Sequence, residues 1–185
     1  MTRMFVAIEV EESVREKLVV IQEQLAKTGA DLKLVEPENV HVTMKFLGEV
    51  PEEKTGAIAD ALKRAAAGTG GFEAKVKGID VFPGLNYIRV VWAGVAEGGE
   101  KFIELQRKIE RELQPLGFRP EKDFVPHLTL ARVRTARGRD RLVAFVKEKE
   151  AEEFGATQVK AVELKQSTLT PSGPVYRTLA RVELG

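Results

Sequence analysis

The 185-residue sequence predicts an α+β fold in two lobes, a tandem duplication with two antiparallel sheets, flanking helices and a central cleft. Three observations predict it. The order strand, helix, His-x-Thr strand, helix, strand occurs twice, in pseudo-repeats of about residues 1–84 and 85–185. The offsets agree: Phe5 to His41 spans 36 residues and Tyr87 to His127 spans 40, while His41 to Phe72 spans 31 and His127 to Thr157 spans 30. The only two histidines, His41 and His127, hold the same place in each half, and each is followed two residues later by a threonine, Thr43 or Thr129.

Phe5–Val10 is β-branched and mostly apolar, the composition of a strand. Ser13 and Glu16 have capping-box spacing, and Val14, Leu18, Ile21 and Leu25 follow at helical intervals until Gly29. Glu36-Pro37 breaks a short extended piece before the first motif strand, Val40 to Leu47. Pro51 suits the first turn of a second helix, whose apolar stripe is Ile58, Ala61, Leu62 and Ala65. Phe72–Val76 alternates as a half-buried strand does, and Phe82-Pro83-Gly84 closes the half. Tyr87–Trp92 opens the second half as a strand. Phe102, Leu105, Ile109, Leu113 and Leu116 mark a helix that Gly117 ends. The second motif strand runs from about Phe124 to Val133. Leu142, Phe145 and Val146 predict another helix, Thr157–Leu164 one alternating strand, and Val175–Leu184 the last.

Composition removes several classes of function. The absence of cysteine excludes disulfides, thiolate nucleophiles and cysteine zinc sites. A net charge of +1 gives no global attraction to polyanions, so any such affinity is local. No stretch approaches the roughly 18–20 apolar residues of a membrane span, and the expected location is the cytoplasm. Two Asn with abundant Glu, Lys and Arg match the composition of heat-adapted proteins.

On a strand, His41, Thr43 and Lys45 share one face and Val42, Met44 and Phe46 the other; His127 and Thr129 share a face while Leu128 and Leu130 pack inward. Each motif therefore offers an imidazole and a hydroxyl from an apolar-backed strand. One imidazole takes a proton while the other gives one, and the hydroxyls hydrogen-bond phosphoryl oxygens without adding charge. This is the equipment of in-line displacement at phosphorus, although symmetry leaves open which histidine is the acid. No metal is expected, since tetrahedral zinc wants three or four protein ligands and neither motif adds a Cys, Asp or Glu on its His face. Lys45 shares the His41 face and could neutralise phosphate charge. Phe46 and Arg132 are off the parity, so a site role for either requires the strand to end or twist. Arg132, Arg134, Arg137, Arg139 and Arg141 concentrate positive charge directly after the second motif, an expected track for an RNA backbone.

His41-Val42-Thr43-Met44-Lys45-Phe46-Leu47-Gly48 and Pro126-His127-Leu128-Thr129-Leu130-Ala131-Arg132 resemble the paired signatures of the 2H phosphoesterase superfamily, in its 2′-5′ RNA ligase-like branch of RNA 2′,3′-cyclic phosphodiesterases. Phe5-Val6-Ala7-Ile8, Ser167, Gly173 and Tyr176 sit where that branch has them. The resemblance implies opening of a terminal 2′,3′-cyclic phosphate to a 2′-phosphomonoester, with reversible ATP-independent 2′-5′ ligation as the same displacement with an RNA hydroxyl in place of water. It implies His127 as proton acceptor and His41 as proton donor, with Thr43 and Thr129 beside them, and it favours Arg132 as a phosphate partner. Lys45, Phe46 and Tyr176 are further substrate-binding candidates, with Phe46 equally suited to the core and Tyr176 suited either to close the cleft or to pair across a sheet. It implies no cofactor and a monomer whose partner is RNA with a cyclic-phosphate end, tRNA fragments included. Two other readings are a phosphodiesterase for small cyclic nucleotides or 2′-5′ oligonucleotides, and a nucleotide- or RNA-binding module without turnover.

Overall fold

The computed structural model describes residues 1–185. In chain order the elements are β1 (Thr2–Ile8), α1 (Glu12–Ala26), β2 (Leu32–Leu34), β3 (Val42–Val50), α2 (Thr55–Ala66), β4 (Phe72–Gly84), β5 (Tyr87–Val95), α3 (Gly99–Leu113), β6 (His127–Val133), α4 (Arg139–Glu148), β7 (Glu153–Val159), β8 (Ala161–Thr170) and β9 (Gly173–Glu183). All strand pairs are antiparallel, in the order β7-β4-β5-β6-β3-β1-β8-β9, with β2 also on β6. The two expected sheets meet edge to edge: the single pair Val42↔Leu128 joins β3 to β6 and makes the sheets continuous.

The halves exchange strands. The first strand of each half, β1 or β5, pairs with its own motif strand on one side, β3 or β6. On its other side it takes a strand from the opposite half: β8 lies on β1, and β4 lies on β5. Helices cross over as well. The α1 helix packs on β6 and β7, α4 on β4, and α2 and α3 pack together behind β3, β8 and β9. This exchange explains why one hydrophobic cluster runs through both lobes, from Met4 and Val6 through Leu105 and Ile109 to Leu164.

The periodic residues of the expected helices are buried, as amphipathic faces require, except Leu116 and Phe145, which are half-buried against the same core. Two of the boundaries that differ from expectation have a tertiary cause. Ser13 does not cap α1: the helix starts at Glu12, and the cap position, Glu11, is held by β7. The Glu11 amide donates to Thr157 Oγ1 (2.9 Å) and the Gln158 amide donates to the Glu11 carboxylate (3.0 Å), tertiary bonds that displace the local box. The stretch Thr157–Leu164 is two strands, because at Lys160 the chain leaves the sheet edge beside β4 and crosses to β1.

Candidate active site

Both motif strands carry a β-bulge at the same place. Ala7 pairs with Thr43 but Val6 pairs with Lys45, so Met44 is an extra residue in β3. Trp92 pairs with Thr129 but Val91 pairs with Ala131, so Leu130 is extra in β6. A bulge opposes two residues to one and reverses the pleat beyond it. Thus Thr43 and Phe46 lie on one face, and so do Thr129 and Arg132. Phe46 and Arg132, off the face by strict alternation, both line the cleft for this reason. Lys45 moves the other way. Its side chain is 2% exposed and donates to both oxygens of Glu110 (3.0 and 2.9 Å) and to the Arg119 carbonyl (2.7 Å). The expectation that Lys45 neutralises phosphate charge is corrected accordingly: its charge and its three donors are committed to protein groups.

The four central side chains form a two-fold array. Val42 faces Leu128, so continuing the antiparallel register by one residue puts His41 opposite Thr129 and Thr43 opposite His127. Val42 and Leu128 point into the core and are fully buried; the four polar residues line a cleft of about 510 Å³. The histidines are then diagonal neighbours, roughly 7–8 Å apart across the strand pair. That gap accommodates a phosphoryl group with one imidazole on either side.

Each imidazole is clamped by aromatic rings. Phe5 stacks on His41 with centroids 5.2 Å apart, and Tyr176 lies 5.5 Å away. Trp92 and Phe82 stand edge-on to His127 at 5.6 and 5.1 Å. Tyr176 pairs with Ser167 across β8 and β9 while its ring lines the cleft. Burial pushes the His41 imidazole down to about 4, opposed by the Glu9 carboxylate. Burial also lowers His127, opposed by its bond to the Val125 carbonyl and assisted by Arg132. That bond, Nδ1 to carbonyl at 2.7 Å, fixes a tautomer: Nδ1 carries the hydrogen, and neutral His127 presents an Nε2 lone pair. His41 Nε2 lies 3.0 Å from Thr43 Oγ1.

Sequence reasoning missed Phe5 as a site residue, as well as Phe82, Trp92 and Glu110. Glu110 is 7% exposed and joins three elements: besides Lys45 it accepts from Gln106 Nε2 (2.9 Å) and the Glu121 amide (3.2 Å). The chain between Gly117 and Pro126, which ends at the Val125 carbonyl, is thereby anchored to β3. No group of three or more His, Asp or Glu has the arrangement of a metal site. No helix is long and apolar enough to cross a membrane.

A family model described as LigT like phosphoesterase matches the chain twice, over residues 8–92 and 94–176, one His-x-Thr motif in each match. An RNA 2′,3′-cyclic phosphodiesterase of Methanothermobacter thermautotrophicus is 44% identical over 174 residues, covering 94% of either chain. One from Archaeoglobus fulgidus is 41% identical over 177 residues, covering 96% of this chain and 97% of its own. A crystal structure from Thermus thermophilus superposes with a TM-score of 0.81 at 31% identity, covering 98% of this chain and 97% of that one. Escherichia coli LigT shares the fold, with a TM-score of 0.77 at 22% identity over 98% of this chain and 96% of its own.

Proposed function

The chain belongs to the LigT-like phosphoesterases, and on that footing we propose that it is an RNA 2′,3′-cyclic phosphodiesterase, a metal-independent hydrolase that opens a terminal cyclic phosphate to a 2′-phosphomonoester. The observation that supports it best is that both imidazoles and both threonine hydroxyls line a single cleft, on two strands joined at Val42 and Leu128.

In this reading the cyclic phosphate sits between His41 and His127. The Thr43 and Thr129 hydroxyls donate to its two non-bridging oxygens. His127 Nε2, left unprotonated by the Val125 bond, takes a proton from water as the water oxygen bonds to phosphorus. The phosphorus–O3′ bond breaks on the opposite side, and the His41 imidazolium supplies the proton that O3′ needs. The bound phosphodiester brings a negative charge beside His41, which favours the imidazolium that burial disfavours in the empty site. An RNA 5′-hydroxyl in place of water gives a 2′-5′ linkage by the same steps. Phe46, Arg132 and Tyr176 line the cleft around the nucleotide, Arg132 as a phosphate partner. All these groups come from one chain, so a monomer suffices. RNA bearing a cyclic-phosphate end, tRNA fragments among them, is the partner.

The test is incubation of RNA ending in 2′,3′-cyclic phosphate with the protein, with and without EDTA, followed by phosphorus NMR. A 2′-monophosphate is expected in both cases, and His41→Ala or His127→Ala should cost on the order of 10²–10⁴ in rate. A 3′-monophosphate product, or loss of activity in EDTA restored by Zn²⁺, would overturn the mechanism.

A further inference from the structure

Beyond the catalytic cleft, a second cavity of about 290 Å³ lies where β5 begins, β6 ends and α4 starts. It is lined by Tyr87, Arg89, Arg134, Arg137 and Arg139, four cations around one exposed ring. Most of this charge is unpaired. Arg89 and Arg134 have no carboxylate within 4.0 Å. Arg137 reaches only a 3.8 Å contact with Asp31, at 74% side-chain exposure. Arg139 meets the Asp140 carboxylate only at 3.9 Å; its guanidinium donates to the Leu85 carbonyl at 2.8 Å, while its Nε is buried with no hydrogen-bond partner. In a protein with a net charge of +1 this grouping is not a by-product of composition.

The cavity is in line with the cleft. Arg132 lines the cleft, and Arg134, two residues on along the same strand direction, lines the cavity. From Thr129 to Arg134, with one residue taken up by the bulge, the run is about 13 Å, farther than one nucleotide reaches. A strand with its 3′ end between the histidines and its backbone on Arg132 continues toward Arg134.

We propose that the Tyr87–arginine cavity is an extension subsite that holds the phosphates and one base of RNA upstream of the reacting end, which makes oligonucleotides the preferred substrate. This rests on the cyclic-phosphodiesterase reading. Arginines around an aromatic ring bind single strands by charge and by sequence-tolerant stacking, and such binding weakens with salt.

The experiment compares a cyclic-phosphate mononucleotide with a cyclic-phosphate tetranucleotide, using the wild type, Arg134→Gln/Arg137→Gln and Tyr87→Ala. For the wild type KM should be at least tenfold lower for the tetranucleotide. Both variants should lose most of that gain while keeping mononucleotide kinetics within about twofold. The double variant should also show a salt slope for tetranucleotide binding lower by about 1.4, as expected for two lost single-strand phosphate contacts. Equal KM values for both lengths in the wild type, or variants that leave the length effect intact, would refute the subsite. If neither substrate turns over, fluorescence anisotropy of a labelled tetranucleotide separates the two ideas. Binding lost in the variants upholds the subsite and rejects the catalytic reading; binding unchanged rejects the subsite.

Discussion

Replacing Glu110 by alanine should destabilise the protein by about 3–5 kcal/mol, because it leaves an ammonium buried without its counter-charge. The Lys45–Glu110 pair is the most buried ion pair of the molecule, with side chains 2% and 9% exposed. Without the carboxylate, Lys45 keeps one acceptor, the Arg119 carbonyl, and the Gln106 and Glu121 donors lose theirs. For a chain of this length the loss corresponds to a fall in melting temperature on the order of 10 °C. Lys45→Met should cost a similar amount, while Lys45→Met/Glu110→Leu should recover most of the loss, since no orphaned charge remains. Activity should not recover with it. The segment before Pro126 loses both anchors, and the Val125 carbonyl that sets the His127 tautomer is at its end. A misplacement of about 1 Å there costs on the order of 10²-fold in kcat. Calorimetry and kcat on cyclic-phosphate RNA, run on all four proteins, decide the matter. A double variant with full activity would show that the pair serves stability alone, and a Glu110→Ala cost below about 1 kcal/mol would refute the burial argument.

The pH dependence of stability should carry the signature of His41. Its folded value, about 4, lies below the ordinary 6.5, so the unfolded chain binds the extra proton first. The stabilising effect is complete above 6.5 and is lost as pH falls toward 4, with a loss of about 2 kcal/mol between pH 7 and pH 5. Urea titrations at both pH values should show this difference in the wild type and not in His41→Gln. Because both histidines are held low, kcat/KM on cyclic-phosphate RNA should peak on the acid side of 6.5; an optimum near pH 8 would contradict the assigned roles. Arg132→Gln should raise KM, reduce the salt slope by about 0.7 and move the limb governed by His127 to higher pH. A limb that stays in place would mean that the two charges do not interact.

The parts of this architecture that depend on periodicity were legible in the residues. Ile58, Ala61, Leu62 and Ala65 are buried at helical spacing, and the repeated His-x-Thr strands pointed to one shared site. What depends on register was not legible. A bulge adds a residue without changing the apolar pattern, since Met44 and Leu130 read as ordinary core residues, yet each decides whether the residue two further on faces the cleft. Alternation also continues across Lys160, which hid the passage from β7 to β8. Glu110 occupies a position that helical periodicity leaves to charge, and its burial is imposed by the Lys45 strand and the segment after Gly117. Phe5 and Trp92 read equally well as core; only the pairing of their strands with the motifs brings their rings against the imidazoles.

The pairing of β1 with β8 bears on how the molecule is made. Arg3 lies beside Ser167, so β1 leaves the ribosome long before the strand that covers its edge. Synthesis of the chain from β1 to β8 takes roughly 10–30 s, and for most of that time β1 and β3 have an open edge. Neither repeat can close its own sheet, since β4 has left the first half for β5 and β8 has left the second for β1. Duplication here has produced two halves that resemble each other and cannot mature separately. Contacts so distant in sequence slow the search for the native state, and the nascent chain is exposed to edge-to-edge association until its C-terminal strands arrive.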